Sequence, residues 1–181
     1  MTAFRSLLPL LLSVAVFASA ADPKIEGLSA AAIQGEVSVR FSLAKVFNNG
    51  EIAQALQSGL PTSFSYEVEI YRDRPYWLDD GFGHIRIDAI CTFNSVTREY
   101  LLNYRRDGKL VRSETFTDVR MLERAMTFIN EPALFDIGRR KPYKMKVRVR
   151  ADVMRGWVLY VVPWEVSTRW RETRVIALDP K

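Results

Sequence analysis

The chain has 181 residues, of which 48% are hydrophobic and 26% are charged, and its formal net charge is +5. This composition is typical of one globular domain and excludes a disordered or collagen-like chain. The chain contains a single cysteine and a single histidine. These counts exclude an internal disulfide and any site built mainly from those two residue types.

The first twenty residues have the pattern of a cleaved secretory signal peptide. Arg5 is their only charge, Leu7–Phe17 is a nearly continuous apolar run, and Ala18-Ser19-Ala20 supplies small residues for cleavage. The run is shorter than the roughly 20 residues of a transmembrane helix, although an uncleaved anchor is the alternative. No later stretch is apolar enough to span a membrane. We therefore expect a periplasmic protein with no transmembrane segment in the mature chain and no nucleic acid partner.

After a leader at 21–30, the sequence predicts a single β-rich domain over 31–181. Apolar and polar residues alternate in several stretches, which is typical of strands with one buried and one solvated face. The predicted strands include 37–43, 64–70, 85–93, 100–104, 143–151, the apolar run 158–162 and a weaker candidate at 169–177. Cys91 is in phase with the apolar positions of its stretch, which predicts a buried and unreactive side chain.

Two segments break this alternation and predict short helices. The first, at about 49–58, follows the capping residue Asn48 and ends before Gly59. The second, at about 118–129, begins at Asp118, an acid at the positive end of the helix dipole.

The remaining signals concern turns and architecture. Asp107-Gly108 lies between two predicted strands and is typical of a tight hairpin. We predict a mainly β fold, an antiparallel two-layer β-sandwich-like domain with two short helices. A single curved sheet with the helices on one face is the alternative.

Polar and aromatic side chains are concentrated just after the second alternating stretch. Arginine forks, a carboxylate and flat aromatic faces are the groups that bind a small polar ligand or a glycan. The candidate ligand-binding residues are Arg72, Arg74, Tyr76, Trp77 and Asp79. The same residue types also occur at the solvated end of a hairpin, where they serve as a structural latch.

A second hypothesis is a hydrolase centred on Asp79, Asp80 and His84. A histidine can act as a general base, but adjacent carboxylates on an extended chain point apart. The sequence contains no nucleophile elbow, glycine-rich phosphate loop or metal-binding spacing. We therefore predict no catalytic residue, no metal and no organic cofactor, and we favour a non-enzymatic protein.

Two other clusters have both a structural and a binding interpretation. Four cations at alternate positions predict a solvated strand face or a surface for an anionic partner: Lys144, Lys146, Arg148 and Arg150. Four aromatic residues near the C-terminus predict core packing or a platform for sugars or peptides: Trp157, Tyr160, Trp164 and Trp170.

Two short motifs connect this chain with a known family. Ser58-Gly59-Leu60-Pro61 is followed by an Arg-x-Arg-x-Tyr-Trp element that ends at Trp77, and the likeness extends over about 31–177. In these features the chain resembles a family of small exported bacterial proteins of unknown function. The resemblance implies a signal peptide, one β-rich domain, and genes that lie beside those of a membrane sensor kinase and its response regulator. It implies a periplasmic accessory role and no particular site residue.

These observations lead to one leading expectation about function. We expect an exported accessory or binding domain that contacts an envelope protein or another envelope component, with a link to a sensor kinase system. The alternatives are the hydrolase and the small-ligand or glycan binder described above.

Overall fold

A computed structural model describes residues 22–48, 50–72, 80–138, 142–158 and 162–178. The predicted signal peptide, 1–20, lies outside the described residues. Within them the chain forms strands, two α-helices and one short 3₁₀ turn. In chain order these are β1 Lys24–Ile33, β2 Glu36–Ala44, α1 Gly50–Gln57, β3 Thr62–Arg72, β4 Asp80–Asn94, β5 Glu99–Arg106, β6 Lys109–Phe116, α2 Val119–Thr127, β7 Phe128–Asp136, the 3₁₀ turn Pro142–Lys144, β8 Met145–Val158, β9 Val162–Ser167 and β10 Arg171–Ala177.

The strands form one continuous sheet in the order β6-β5-β4-β3-β8-β10-β1-β2-β7, with β9 paired to the far end of β8. The predicted mainly β fold with two short helices is confirmed. The predicted two-layer sandwich is not, because in the described ranges all strands belong to one hydrogen-bonded sheet. The sheet is also mixed, since β1 and β10 run parallel, with Ala31 opposite Ile176. A parallel pair is possible here because the first and last strands are not joined by a hairpin.

Strand β1 includes most of the segment that the sequence placed in a leader. Residues 24–30 pair with β2, and the register shifts between Glu26 and Ser29, where Gly27 has a φ of 61°. This irregularity weakens the alternation that reveals a strand. Ile25 and Ala30 are nonetheless buried.

The sheet curls so that its inner face encloses the hydrophobic core. Along β3 the inward side chains of Phe64, Tyr66, Val68 and Ile70 are completely buried. From the opposite side of the curl, Phe41 of β2 meets Tyr66 edge to face, with ring centroids 5.3 Å apart. Strands distant in the sheet order therefore contact one another across the interior.

Helix α2 connects β6 to β7, the two ends of the sheet order, and packs against both as well as β5 and β2. Leu122 and Met126 are buried on its inner side. Asp118 caps the helix, because its carboxylate accepts hydrogen bonds from the backbone N–H of Arg120 at 2.7 Å and of Met121 at 3.2 Å. The curl is thus closed on this side by a helix.

The last turn of α2 is attached to the sheet by two tyrosines. The hydroxyl of Tyr66 donates to the carbonyl of Met126 at 2.7 Å, and that of Tyr104 donates to the carbonyl of Ala125. Both carbonyls belong to the last turn of the helix, where intrahelical partners run out.

Both predicted helices and the predicted hairpin are confirmed. The helix predicted at 118–129 ends earlier, at Thr127, because Phe128 and Ile129 pair with β2. Sheet pairing overrides the helical spacing at these two positions. In the β5–β6 hairpin Asp107 and Gly108 have φ values of 48° and 77°, as a two-residue type I′ turn requires.

Candidate functional site

The predicted ligand-binding residues fall around the connection between β3 and β4. Arg72 is the last residue of β3, half-buried, with its Cα in register with Asp80 of β4 and Met145 of β8. The other four, Arg74, Tyr76, Trp77 and Asp79, lie outside the described residues. The structure therefore places Arg72 at the base of this connection, beside both neighbouring strands.

The residues of the hydrolase hypothesis occupy separate positions along β4. Asp80 begins the strand and His84 lies four residues further on, a separation of roughly 13 Å along an extended chain. The Nε2 atom of half-exposed His84 is in contact with Oε2 of Glu67. A carboxylate orients an imidazole in this way. Among the described residues no hydroxyl or thiol hydrogen-bonds to His84.

Glu67 is the centre of a polar network on the outer face of the sheet, and it is only 9% exposed. Its Oε1 accepts from Arg86 Nη1 at 3.2 Å, while Arg86 Nη2 donates to Ser65 Oγ at 2.9 Å. Arg86 Nε and Ser65 Oγ both donate to Asp88, at 2.9 and 2.6 Å. Burial acts to lower the pKa of Arg86, but Asp88, Glu67 and Asp152 raise it overall.

Sequence reasoning missed this network. Glu67 is in phase with Ser65 on the predicted solvated face, and that alternation was the available signal. The alternation does not reveal the sheet order, in which β3 lies between β4 and β8. Cross-strand neighbours decide whether a carboxylate on a sheet face is solvated or covered.

Most of the cationic stripe predicted on β8 is paired. Arg148 donates to Glu69 from Nε at 2.7 Å, and Lys146 lies 3.7 Å from Glu172. Arg150 Nε lies 3.6 Å from Asp152, too far for a hydrogen bond. Lys144 belongs to the preceding 3₁₀ turn rather than to β8. The positive charges of the strand therefore meet acidic side chains of the same face.

Of the four aromatic residues near the C-terminus, the structure describes the side chain of Trp170. Its ring faces the guanidinium carbons of Arg148 and Arg150 at 4.8 and 5.0 Å from the centroid. This is cation–π packing on the outer face. Tyr160 lies outside the described residues, and the side chains of Trp157 and Trp164 lie outside the described part as well.

A shallow cleft of about 420 Å³ adjoins the β3–β4 connection. Its lining combines polar side chains, Glu69 and His84, with apolar ones, Ile70 and Phe82. Its lining residues are Glu69, Ile70, Gly81, Phe82, Gly83 and His84. It is open to solvent, so a ligand here would be held on one side.

A second concave surface, the α2 groove, lies between the β5–β6 hairpin, α2 and the start of β7. Its volume is about 380 Å³, and it combines apolar side chains with ion-paired ones. Its lining residues are Tyr104, Arg112, Glu114, Phe116, Met121, Arg124, Ala125, Phe128, Ile129, Asn130 and Glu131. No sequence motif pointed to it, because its walls come from segments that alternation alone does not bring together.

The side chain of Met121, on the rim of the α2 groove, is 58% exposed, and that of Phe128 is 47% exposed. Arg112 stacks on the Tyr104 ring at 4.1 Å and pairs with Glu114 at 2.8 Å. Exposed apolar groups edged by fixed charges are the usual chemistry of a protein contact surface.

Cys91 is buried and unpaired, as the sequence predicted. Burial raises the pKa of its thiol to about 12, so it stays protonated and is a poor nucleophile. In the described ranges no three His, Cys, Asp or Glu side chains gather as metal ligands would.

The fold and these surfaces define a mainly β domain built on one curled, mixed sheet. The family model for the domain of unknown function DUF4390 matches residues 20–173, and the chain belongs to this family. The resemblance to a family of unknown function is thereby confirmed, while the signal peptide and the two motifs remain predictions. No curated protein and no solved structure matches the chain. No helix of the described residues is long and apolar enough to cross a membrane.

Proposed function

We propose that this protein is an exported, periplasmic accessory domain that binds a protein or another component of the bacterial envelope. The observation that carries the proposal is the α2 groove, where Met121 and Phe128 expose apolar surface beside paired charges. Burying such side chains against a partner releases about 25 cal/mol per Å² of apolar surface. Polar neighbours around them then orient the partner.

Two features of the sequence support the envelope as the location. Residues 1–20 have the order of charge, apolar run and small residues that directs export. The resemblance noted above implies genes beside those of a membrane sensor kinase, which makes the external part of that kinase the first partner to test.

The test places a photo-crosslinking amino acid at Met121 or Phe128 in living cells. We expect both positions to capture the same partner, in the periplasmic fraction. The matched control is Val96, which is 90% exposed in the β4–β5 turn. Capture of that partner from Val96 as readily as from Met121 would overturn the role of the groove. Retention of the chain in the cytoplasm would overturn export.

A second candidate is a binder of a small polar ligand or glycan at the β3–β4 connection. The cleft beside Arg72 favours it, because Glu69 and His84 offer hydrogen bonds next to the apolar Phe82. Arg74 and Trp77 complete the predicted site. The test is equilibrium binding to a glycan and metabolite panel, in which Arg72→Ala is expected to weaken any binding about tenfold or more. Equal affinity in the variant would remove this candidate.

A further inference from the structure

Strand β6 ends the sheet, and none of the described residues pairs with its outer edge. Its side chains are mostly exposed, including Leu110 at 60% and Val111 at 57%. The strand contains no proline, so every residue keeps its backbone donor. An edge of this kind is a template for another strand.

We propose that the outer edge of β6 pairs with β6 of a second copy of this chain. The two copies pair antiparallel about a twofold axis, with Ser113 opposite Ser113. In this register Arg112 of each copy lies opposite Glu114 of the other. Each charge pair occurs twice because the contact is symmetric. Opposite charges and facing hydroxyls are favourable cross-strand neighbours.

The charge pattern of β6 selects this register among those centred on the middle of the strand. Centring on Arg112 sets two guanidiniums against each other, and centring on Glu114 does the same with two carboxylates. Only centring on Ser113 makes both charge pairs complementary. In this register the charge pattern of β6 is complementary to that of a second β6.

The side chains of Arg112 and Glu114 already project together from one face. They form an ion pair at 2.8 Å within the chain, with 55% and 39% of their side chains exposed. Arg112 is held by its stacking on Tyr104. Each charge can therefore exchange its partner within the strand for the equivalent one across the axis. A bulge between Arg112 and Leu110 keeps Val111 out of the β5 ladder, so the regular part of the pairing begins at Arg112.

The opposite edge does not offer the same surface. Strand β7 contains Pro132, which has no N–H, and Ala133 with a φ of 51°, and its pairing with β2 is interrupted there. This difference assigns the self-association to β6. The inference does not depend on the proposed function.

The experiment uses two charge reversals, Arg112→Glu and Glu114→Arg, with sedimentation equilibrium of the purified protein as the readout. Wild type is expected to dimerise. Each variant alone places like charges opposite each other, and the dissociation constant of its dimer is expected to rise about tenfold or more. An equimolar mixture of the two variants restores both charge pairs and is expected to form heterodimers. The double variant R112E/E114R is expected to dimerise like wild type.

Circular dichroism and thermal melting establish that each variant is folded before its association is compared. A monomeric wild type at all concentrations overturns the proposal, and so does dimerisation unchanged by either single reversal. A mixture that stays monomeric while both variants are folded also overturns it. If one reversal fails to fold, the double variant and the other reversal still decide the register.

Discussion

Strands β6 and β7 both lie at an edge of the described sheet, yet their backbones present very different surfaces. In β7, Pro132 removes a donor and Ala133 turns the backbone out of the strand conformation. Its end is also fixed, because the N–H of Ile137 donates to the carbonyl of Gly35 at 2.8 Å. β6 contains no proline, so each of its residues keeps its N–H, and its Leu110 and Val111 are exposed. Protection of a sheet edge is thus a property of particular residues rather than of position in the fold.

Helix α2 connects the two edge strands, β6 and β7, and a substitution in its buried side is expected to have the largest effect on the free energy of unfolding. Leu122 of this helix is completely buried. We expect Leu122→Ala to lower the free energy of unfolding by about 3–4 kcal/mol, because it leaves a cavity in the core. Urea unfolding measures the change. Met121→Ala, at an exposed position of the same helix, should change it by less than about 0.5 kcal/mol. Equal losses would show that α2 does not hold the two edges together.

Substitution of two glycines with positive φ tests whether the backbone is held more tightly at the end of β7 than in the hairpin before β6. A Cβ on Gly35, beside the end of β7, would lie 2.6 Å from the carbonyl oxygen of Gly138. Gly108, in the hairpin that leads into β6, has open space around it. We expect Gly35→Ala to cost about 2–3 kcal/mol and Gly108→Ala about 1 kcal/mol, measured by urea unfolding. Similar costs would mean that β7 is no more tightly fixed than β6.

The tyrosines that attach α2 to the sheet predict a loss of stability at alkaline pH. Burial, with a smaller contribution from Tyr104, raises the pKa of Tyr66 well above its ordinary value. The protonated Tyr66 hydroxyl contributes fully to the free energy of unfolding below about pH 10, where tyrosine in the unfolded chain begins to ionise. This contribution is lost as the pH rises towards the pKa of Tyr66 in the folded protein. We expect the free energy of unfolding of wild type at pH 7 to exceed that of Tyr66→Phe by about 1–2 kcal/mol, because the variant loses the hydrogen bond to the carbonyl of Met126.

Urea unfolding of both proteins between about pH 7 and pH 11 measures this effect. The advantage of wild type should shrink above about pH 10, while the titration of Cys91 contributes to both proteins and cancels. A constant difference across the range would contradict the assignment to the Tyr66 hydroxyl.

The smallest expected effect concerns the ion pair that joins the two sides of the curl. Arg106 of β5 contacts Glu131 of β7, and both side chains are partly exposed. A double-mutant cycle with Arg106→Met and Glu131→Gln should give a coupling of about 0.5 kcal/mol, because solvent screens the charges. The coupling should fall at high salt. A coupling of about 2 kcal/mol or more would mean that this pair, rather than α2, holds the edges together.

Local pattern predicted much of the fold. Alternation identified β3, β5 and the first half of β8, and the Asp107-Gly108 turn was confirmed. The sheet order was not predicted, because pairing of distant strands depends on cross-strand contacts that one sequence does not display. The same limit applies to the site. Arg72 was placed at a strand end, but the covered position of Glu67 follows from the neighbours that β3 acquires in the sheet.

The parallel pairing of the first and last strands has a consequence for how the chain folds. β1 cannot complete its hydrogen bonds until β10 has been synthesised, since Ala30 pairs with Val175 and the N–H of Leu178 donates to the carbonyl of Ala32 at 2.9 Å. Contacts between such distant segments slow folding, because a long loop must close before they form. A nascent chain of this topology keeps an incomplete sheet until its last strand emerges. Late closure of this kind suits a protein that we propose crosses a membrane before it folds.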